Sequence, residues 1–247
     1  MSKTIVITGA SAGIGAATAE LLTRRGDRVV LVARREAELQ RVAARCGPLA
    51  LPVVADVTVR NEVQRVVRAA LEHFGAIDVW INNAGRGITR MPTELTDQDV
   101  DDMVRVNVKS VLYGMQEVLP HFKERGSGHI INISSMLGRV PMAPMRSAYS
   151  AAKHMVNSLT ANFRTEVRAT HPGIQFSLVS PGVVQTDFGK NALHGGPDSR
   201  SFPVSQTVDE VAPIVVAVID SRAGDVYTRP EGRQMVLDYF AKDVPGS

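Results

Sequence analysis

Residues Thr4–Thr8 read Thr-Ile-Val-Ile-Thr, a β-branched run with no polar face. A strand of that kind is buried on both sides, which points to a parallel sheet covered by helices rather than to a half-wet hairpin. Gly9-Ala10-Ser11-Ala12-Gly13-Ile14-Gly15 follows at once, and a helical pattern then continues to Arg25 with Gly26 placed to close it. The same unit recurs along the chain. Apolar runs at 28–33, 49–55, 77–81, 129–133 and 175–179 alternate with helical patterns at 36–45 and 59–74, a long one opening at Thr96-Asp97-Gln98-Asp99 and reaching about Phe122, and one carrying Tyr149 and Lys153. Thr96 and Asp99 have the spacing of a capping box.

Connections of this length are too long for hairpins and predict right-handed strand–helix–strand units. The expected fold class is α/β: a doubly wound, Rossmann-type parallel sheet with helices on both faces. No composition shift or linker divides the 247 residues, so residues 1–247 are expected to form a single domain. The pattern breaks at 186–206, where Gly189, Gly195, Gly196, Pro197 and Pro203 stand among polar residues. A long mobile loop over the carboxyl edge of the sheet is expected there, shaping the substrate pocket.

Composition narrows the partners. A net charge of +3 and 5% aromatic residues argue for neither nucleic acid nor membrane binding. The one cysteine, Cys46, cannot form an internal disulfide and suits a reducing compartment, and no cluster of metal-ligating residues stands out. The first residues enter a strand without the apolar core of a signal peptide, so a cytoplasmic protein is expected.

Ligands of doubly wound sheets bind outside the carboxyl ends of the strands. The loop from Gly9 leaves such an end and opens a helix, so its amides and the helix dipole form a site for a pyrophosphate. The spacing Gly9-x-x-x-Gly13-x-Gly15 differs from the common G-x-G-x-x-G, and no Lys-Ser/Thr pair makes it a Walker A loop. The second strand ends Val32-Ala33-Arg34-Arg35, where an NAD site would place an acid for the ribose 2′-hydroxyl. Ala33 adds no repulsion, and Arg34 and Arg35 offer forked donors to a 2′-phosphate, so NADP(H) is expected over NAD(H). Tyr149 and Lys153, four apart, share one helix face. A phenol titrates at about 10 in water, and a nearby ammonium is expected to pull that value down toward neutrality.

Thr8-Gly9-Ala10-Ser11-Ala12-Gly13-Ile14-Gly15, Asn82-Asn83-Ala84-Gly85, Asn107, Ser135, Tyr149-x-x-x-Lys153 and Pro181-Gly182-Val183-Val184-Gln185-Thr186 occur in this order. Over residues 4–188 the chain resembles the short-chain dehydrogenase/reductase family. The resemblance implies that Tyr149 is the general acid/base, that Lys153 lowers its pKa and holds the nicotinamide ribose, and that Ser135 polarises the substrate oxygen, with Ser134 the rival. It implies that Asn107 holds a water leading from Lys153 to solvent, that Asp56 and Val57 contact adenine, and that Asn83 braces the sheet beside the cofactor. Ser11, Ala12, Ile14, Ala84, Gly85, Pro181, Gly182 and Val184 belong with these to the cofactor site, and Thr186 would bond the nicotinamide amide.

Met136, Leu137, Met142, Met145 and Phe188 suggest an apolar pocket. His154 next to Lys153 is expected to be structural, and His194 and Arg200 are expected to be solvated loop residues rather than contacts for an acidic substrate. A Val-Asp-Gly-Gly-like tail is missing after Thr228-Arg229-Pro230, which bears on the assembly; a homodimer through the long helices or a homotetramer is expected. The function expected is NADP(H)-dependent transfer of a hydride between nicotinamide and a carbonyl or secondary alcohol, a small molecule. The alternative is a catalytically silent NADP(H)-sensing protein on the same fold.

Overall fold

The structure, a computed structural model, describes residues 2–242. Seven parallel strands form one sheet: β1 (Thr4–Thr8), β2 (Arg28–Ala33), β3 (Ala50–Val54), β4 (Val79–Asn82), β5 (Gly128–Ile133), β6 (Ile174–Ser180) and β7 (Asp225–Tyr227). Their spatial order is β3-β2-β1-β4-β5-β6-β7. The chain therefore winds outward from β1 in one direction, then returns past it to wind in the other. The switch lies between β1 and β4, where helices on opposite faces leave a crevice at the carboxyl edge. The expected doubly wound α/β sheet is the one observed.

Helices cover both faces. On one side α1 (Gly13–Arg24), α2 (Glu36–Cys46) and α7 (Val208–Ser221) enclose a core of residues such as Ile5, Ile7, Leu22, Leu39, Val211 and Val215. On the other, α3 (Arg60–Phe74), α5 (Ser110–Arg125) and α6 (Ser147–Thr170) enclose Trp80, Met115, Phe122, Val156 and Phe176. Strands covered on both faces have no use for polar alternation, which is why β1 is buried at every position.

Three features differ from the sequence-based expectations. The long helix after Thr96 is interrupted: α4 (Asp97–Val104) passes through a widened turn at Arg105–Lys109 before α5 begins. Asn107 sits in that turn, and its amide donates to the Met103 carbonyl four residues back, at 3.1 Å. A side chain in the place of a backbone donor opens the ladder, which is how single wide turns arise at functional positions. The capping box itself is present, with Asp99 N donating to Thr96 Oγ1 and Thr96 N to an Asp99 carboxyl oxygen. Second, α7, β7 and the final helix α8 (Gly232–Ala241) lie in a part of the chain to which the periodicity assigned no element. Third, the 186–206 segment is tied down by parallel bridges, Ile88 to Leu193 and Val184 to Gln206, and by one turn of 3-10 helix at Ser199–Ser201.

Beneath the carboxyl edge runs a buried polar chain. Trp80 Nε1 donates to Asn82 Oδ1 at 2.7 Å, Asn82 Nδ2 to Asn132 Oδ1 at 2.8 Å, and Asn132 Nδ2 to Thr160 Oγ1 at 2.8 Å. It links β4, β5 and α6 laterally, so the helix bearing Tyr149 and Lys153 is indexed to the strand ends by directional bonds as well as by packing. Gly114 of α5 lies against this chain, and a Cβ there would fall inside the Asn82 amide and the Trp80 indole. Gly114→Ala is expected to lower the unfolding free energy by about 1–3 kcal/mol, the usual cost of overpacking a rigid site. Chemical denaturation of the two proteins measures it.

Candidate active site

The crevice is closed at its base by one hydroxyl. Thr8 Oγ1, at the end of β1, accepts from the backbone amides of Asn83 and Ala84 at 3.0 and 3.1 Å, just past the end of β4. The Asn83 amide answers by donating to the carbonyls of Thr8 and Gly9 at 2.9 and 3.2 Å. Gly9 has φ +67°, and a Cβ on it would lie 2.8 Å from Ala84 Cα. Only glycine allows both that dihedral and that approach.

The loop then opens α1 with nothing capping it. Ala12 stands at the N-cap and supplies no side-chain bond, and the first turn holds no acid. Gly13, at φ +56°, faces Thr186, whose Cγ2 would be 3.1 Å from a Cβ placed there. Free amides, a positive helix end and a cradle that a Cβ would fill suit a pyrophosphate, with Thr186 over it. The residues present therefore fit a dinucleotide. Ser11 accepts from Arg35 Nη2 at 3.1 Å, and Arg34 lies 3.7 Å from an Asp56 carboxyl oxygen. Both arginines thus stand at the rim of the expected adenosine half, exposed. Asp56 itself accepts from Thr58 N, and Val57 packs partly against the core.

The second group of residues meets beyond Gly85. A Cβ built on Gly85 would lie 3.0 Å from Asn107 Oδ1 and 3.7 Å from Lys153 Nζ, so these two converge on one point. Asn107 is held there by Arg86, whose amide donates to its Oδ1 while its own Nδ2 donates back to the Arg86 carbonyl, both at 3.0 Å. Lys153 Nζ donates to the Ile133 carbonyl at the end of β5, at 2.8 Å, and lies 5.7 Å from the centre of the Tyr149 ring. Ser135 follows β5 in extended conformation beside Tyr149, whose pKa it lowers, while its Oγ accepts from Leu137 N. Ser134, its rival, is turned away and donates to Asn157 in a buried position. His154 bonds back to the Ser150 carbonyl on its own helix.

The electrostatics correct one expectation. The Tyr149 phenol is pushed up to about 12, chiefly by burial, with the Ser135 hydrogen bond and then Arg146 pulling the other way. Lys153 is not the acidifying neighbour in this structure; burial brings its own ammonium down to about 8. Both groups sit 7% exposed or less at the floor of the site, and a low-dielectric floor favours the neutral form of each. The loop residues His194 and Arg200 are not simply solvated: His194 is 2.7 Å from Asp99, and Arg200 is 2.9 Å from Asp187. Phe188 does reach the site, its ring centre 5.5 Å from that of Tyr149, whereas Met142 and Met145 are exposed. Met136 and Leu137 are half-buried, Leu137 against the core.

With this geometry in view, the short chain dehydrogenase family profile matches residues 3–195. The chain belongs to the short-chain dehydrogenase family. An uncharacterized oxidoreductase of Staphylococcus epidermidis is 36% identical over 194 residues, covering 76% of this chain and 83% of that one. An uncharacterized oxidoreductase of Staphylococcus aureus is 38% identical over 185 residues, covering 74% and 79%. Among solved structures, a short-chain dehydrogenase/reductase from Burkholderia phymatum in complex with NAD superposes with a TM-score of 0.88 at 28% identity, covering 96% of this chain and 92% of that one. An alcohol dehydrogenase from Thermococcus sibiricus complexed with 5-hydroxy-NADP gives 0.80 at 28% identity, with 92% and 96% covered. This short-chain dehydrogenase is accordingly an oxidoreductase, and solved structures similar to it hold NAD or an NADP derivative. Among its described residues no helix is long and apolar enough to cross a membrane, and no group of three or more His, Cys, Asp or Glu could hold a metal ion.

Sequence reasoning missed two residues of the site. Thr8 was visible as the first residue of the Thr8–Gly15 motif but was given no role, and Arg146 was visible only as a cation just before a helix; the role of each depends on partners that the fold brings in. The buried ammonium carries a testable consequence. The folded pKa of Lys153 is depressed from 10.5 to about 8, so between those values the folded protein holds fewer protons than the unfolded chain. The stability tied to this group is present above pH 10.5 and is lost as pH falls through about 8. Relative to Lys153→Met, the wild-type unfolding free energy should rise by on the order of 3 kcal/mol across that interval. A flat difference in denaturation measured at several pH values would show that the amine is not desolvated.

Proposed function

We propose that this chain is an NADP(H)-dependent oxidoreductase that interconverts a carbonyl compound and a secondary alcohol, with Tyr149 as the general acid/base. The observation that carries the reading is the convergence of Ser135, Tyr149, Lys153 and Asn107 at the carboxyl edge of the sheet, in the same crevice as the Gly9–Gly15 loop.

The residues divide the work as follows. The backbone of Gly9, Ser11, Ala12, Gly13, Ile14 and Gly15 would receive the pyrophosphate, and Thr186, after Pro181, Gly182 and Val184, would bond the nicotinamide amide. Arg34 and Arg35 pair with the 2′-phosphate; Asp56 and Val57 flank the adenine; Asn83, Ala84 and Gly85 form the wall between the two halves. When bound, the nicotinamide supplies or accepts the hydride. Ser135 donates to the substrate oxygen and polarises the carbonyl. Tyr149 delivers its proton to that oxygen during reduction and recovers it from the alcohol in the reverse direction. A phenol held protonated by burial is primed as the donor. Lys153, an ammonium below about pH 8, would hold the nicotinamide ribose hydroxyls. Asn107, wedged in the widened turn, presents its amide oxygen beside Lys153, where a water could carry the replacement proton inward. Phe188 and Leu137 exclude bulk water around the reacting carbon.

Residues 1–247 act as one domain with 186–206 as the substrate loop, in the cytoplasm, as a homodimer or homotetramer. Support for the assembly is the family resemblance and the length of α5 and α6; support for the compartment is the single free thiol, Cys46.

Two measurements test the reading. Tyr149→Phe keeps the ring and its contact with Phe188 but removes the proton, so kcat for carbonyl reduction should fall by about 10²–10⁴-fold while NADPH binding changes little. Undiminished turnover would take Tyr149 out of the chemistry, and absence of turnover by the wild type across aldehydes and ketones would favour a silent NADP(H)-binding protein. The double variant Arg34→Ala, Arg35→Ala should weaken NADPH by about 10²-fold or more, since each charge-assisted contact contributes roughly 1.5–3 kcal/mol, and leave NADH nearly as before. Equal losses for both cofactors in fluorescence titrations would remove the phosphate assignment.

A further inference from the structure

Arg146 is a cation of the reaction centre that the foregoing chemistry does not use. It stands at the N-cap of α6, three residues before Tyr149, half-buried. Its Nη1 donates to the Ile88 carbonyl at 2.8 Å, and no protein acceptor among the described residues is bonded to Nε or Nη2. The guanidinium shares a recess with Phe188: a Cβ added at Gly87 would lie 2.9 Å from Arg146 Nη1 and 3.0 Å from the Phe188 ring. A Cβ at Gly196, in the substrate loop, would lie 3.0 Å from Nη2. Tyr149 is close enough to be coupled to it electrically in both directions.

Most other cations around the site already have an acidic partner. Arg90 and His194 share Asp99, Lys190 and Arg200 share Asp198, Arg139 has Asp225, and Arg34 has Asp56, each within 4.0 Å. Arg86 and Lys153 have none among the described residues: Arg86 is exposed and donates to the Asn191 carbonyl, and Lys153 donates to the Ile133 carbonyl. Arg146 has neither a carboxylate nor full access to water, a costly state for a charged fork. A planar guanidinium with a free edge is matched by a carboxylate, which accepts two parallel N–H bonds. Phe188 on one side and the Tyr149 phenol on the other would leave such an anion with its carbon chain in apolar surroundings and its carbonyl directed at the proton donor.

Resting on the oxidoreductase reading, we propose that Arg146 is a specificity-determining residue that binds the carboxylate of the substrate, so that the enzyme acts on short oxo acids and the corresponding hydroxy acids. The proton and hydride steps are those already assigned; Arg146 adds only the anchor that aims the carbonyl carbon.

The test compares acetoacetate and 4-oxopentanoate with their methyl esters, which keep the carbonyl and lose the charge, using NADPH and NADH. The wild type should prefer each acid to its ester by about tenfold or more in kcat/KM, and Arg146→Gln, which can still donate to the Ile88 carbonyl, should reduce that preference by about 30-fold, mainly through the KM of the acid. Arg146→Lys should restore part of it. Esters and acids reduced equally well by the wild type, or an acid-to-ester ratio unmoved in Arg146→Gln, would overturn the proposal while leaving the reductase reading intact. A readout without turnover separates the two failures. Butyrate, which cannot react, should raise the melting temperature of the wild-type protein with NADP+ and not that of Arg146→Gln. If no carbonyl is turned over, the reading of the reaction fails, and equal shifts in both proteins, or none in either, would dispose of the anion site as well.

Discussion

At the switch point of the sheet, a threonine hydroxyl and an asparagine amide lock two strand ends together. Thr8 Oγ1 takes both the Asn83 and Ala84 amides, and the Asn83 side chain returns two bonds to the β1 terminus. β1 and β4 are neighbours that the chain reaches more than 70 residues apart, and nothing local holds their ends level. The four bonds set the distance between the glycine loop and the Asn82–Gly85 segment, and with it the width of the crevice. Gly9 is pressed against Ala84 with no room for a Cβ. A dinucleotide spanning the crevice would have its pyrophosphate and its reactive ring placed by one rigid joint, the kind of preorganisation that catalysis by positioning requires.

The reacting groups hang from the other side of that joint. Lys153 Nζ is bonded to the last carbonyl of β5, Ser135 extends the same strand, and Asn107 is fixed by the Arg86 backbone. The buried chain from Trp80 through Asn82 and Asn132 to Thr160 carries the alignment down from the strand ends into α6. Each link exchanges a solvated polar group for a directional one, so the network contributes little net stability per bond but defines the register sharply. The floor so formed is buried, and burial governs the charges: the phenol is held high at about 12 and the ammonium low at about 8. Arg146 is thereby left as the cation whose charge lowers the Tyr149 pKa.

The loop over the site is more ordered than its glycines and prolines suggest. Asp99 illustrates why. It serves as the third residue of the α4 capping box and at the same time receives Arg90 and His194, so one buried carboxylate fastens the substrate loop to a helix start. His194 adopts φ +65° immediately before Gly195 at φ +72°, a tight reversal that the Asp99 contact holds in place.

Strand–helix alternation, the glycine loop and the spacing of Tyr149 and Lys153 were readable directly from the residues, because each depends on neighbours within a few positions: β-branched runs for two-sided burial, glycine for positive φ, a separation of four for one helix face. Strand limits agreed to within two residues, from β1 at Thr4–Thr8 to β6 at Ile174–Ser180. The widened turn at Asn107, the direction of the Tyr149 shift and the unmatched charge of Arg146 could not be read in that way. They depend on burial and on partners brought from distant segments, such as Met103 against Asn107 within a packed helix, or Ile88, Gly87 and Gly196 around Arg146. Local pattern selects the elements and names the reactive groups; their protonation and their free valences follow from how much water the assembled walls leave beside them.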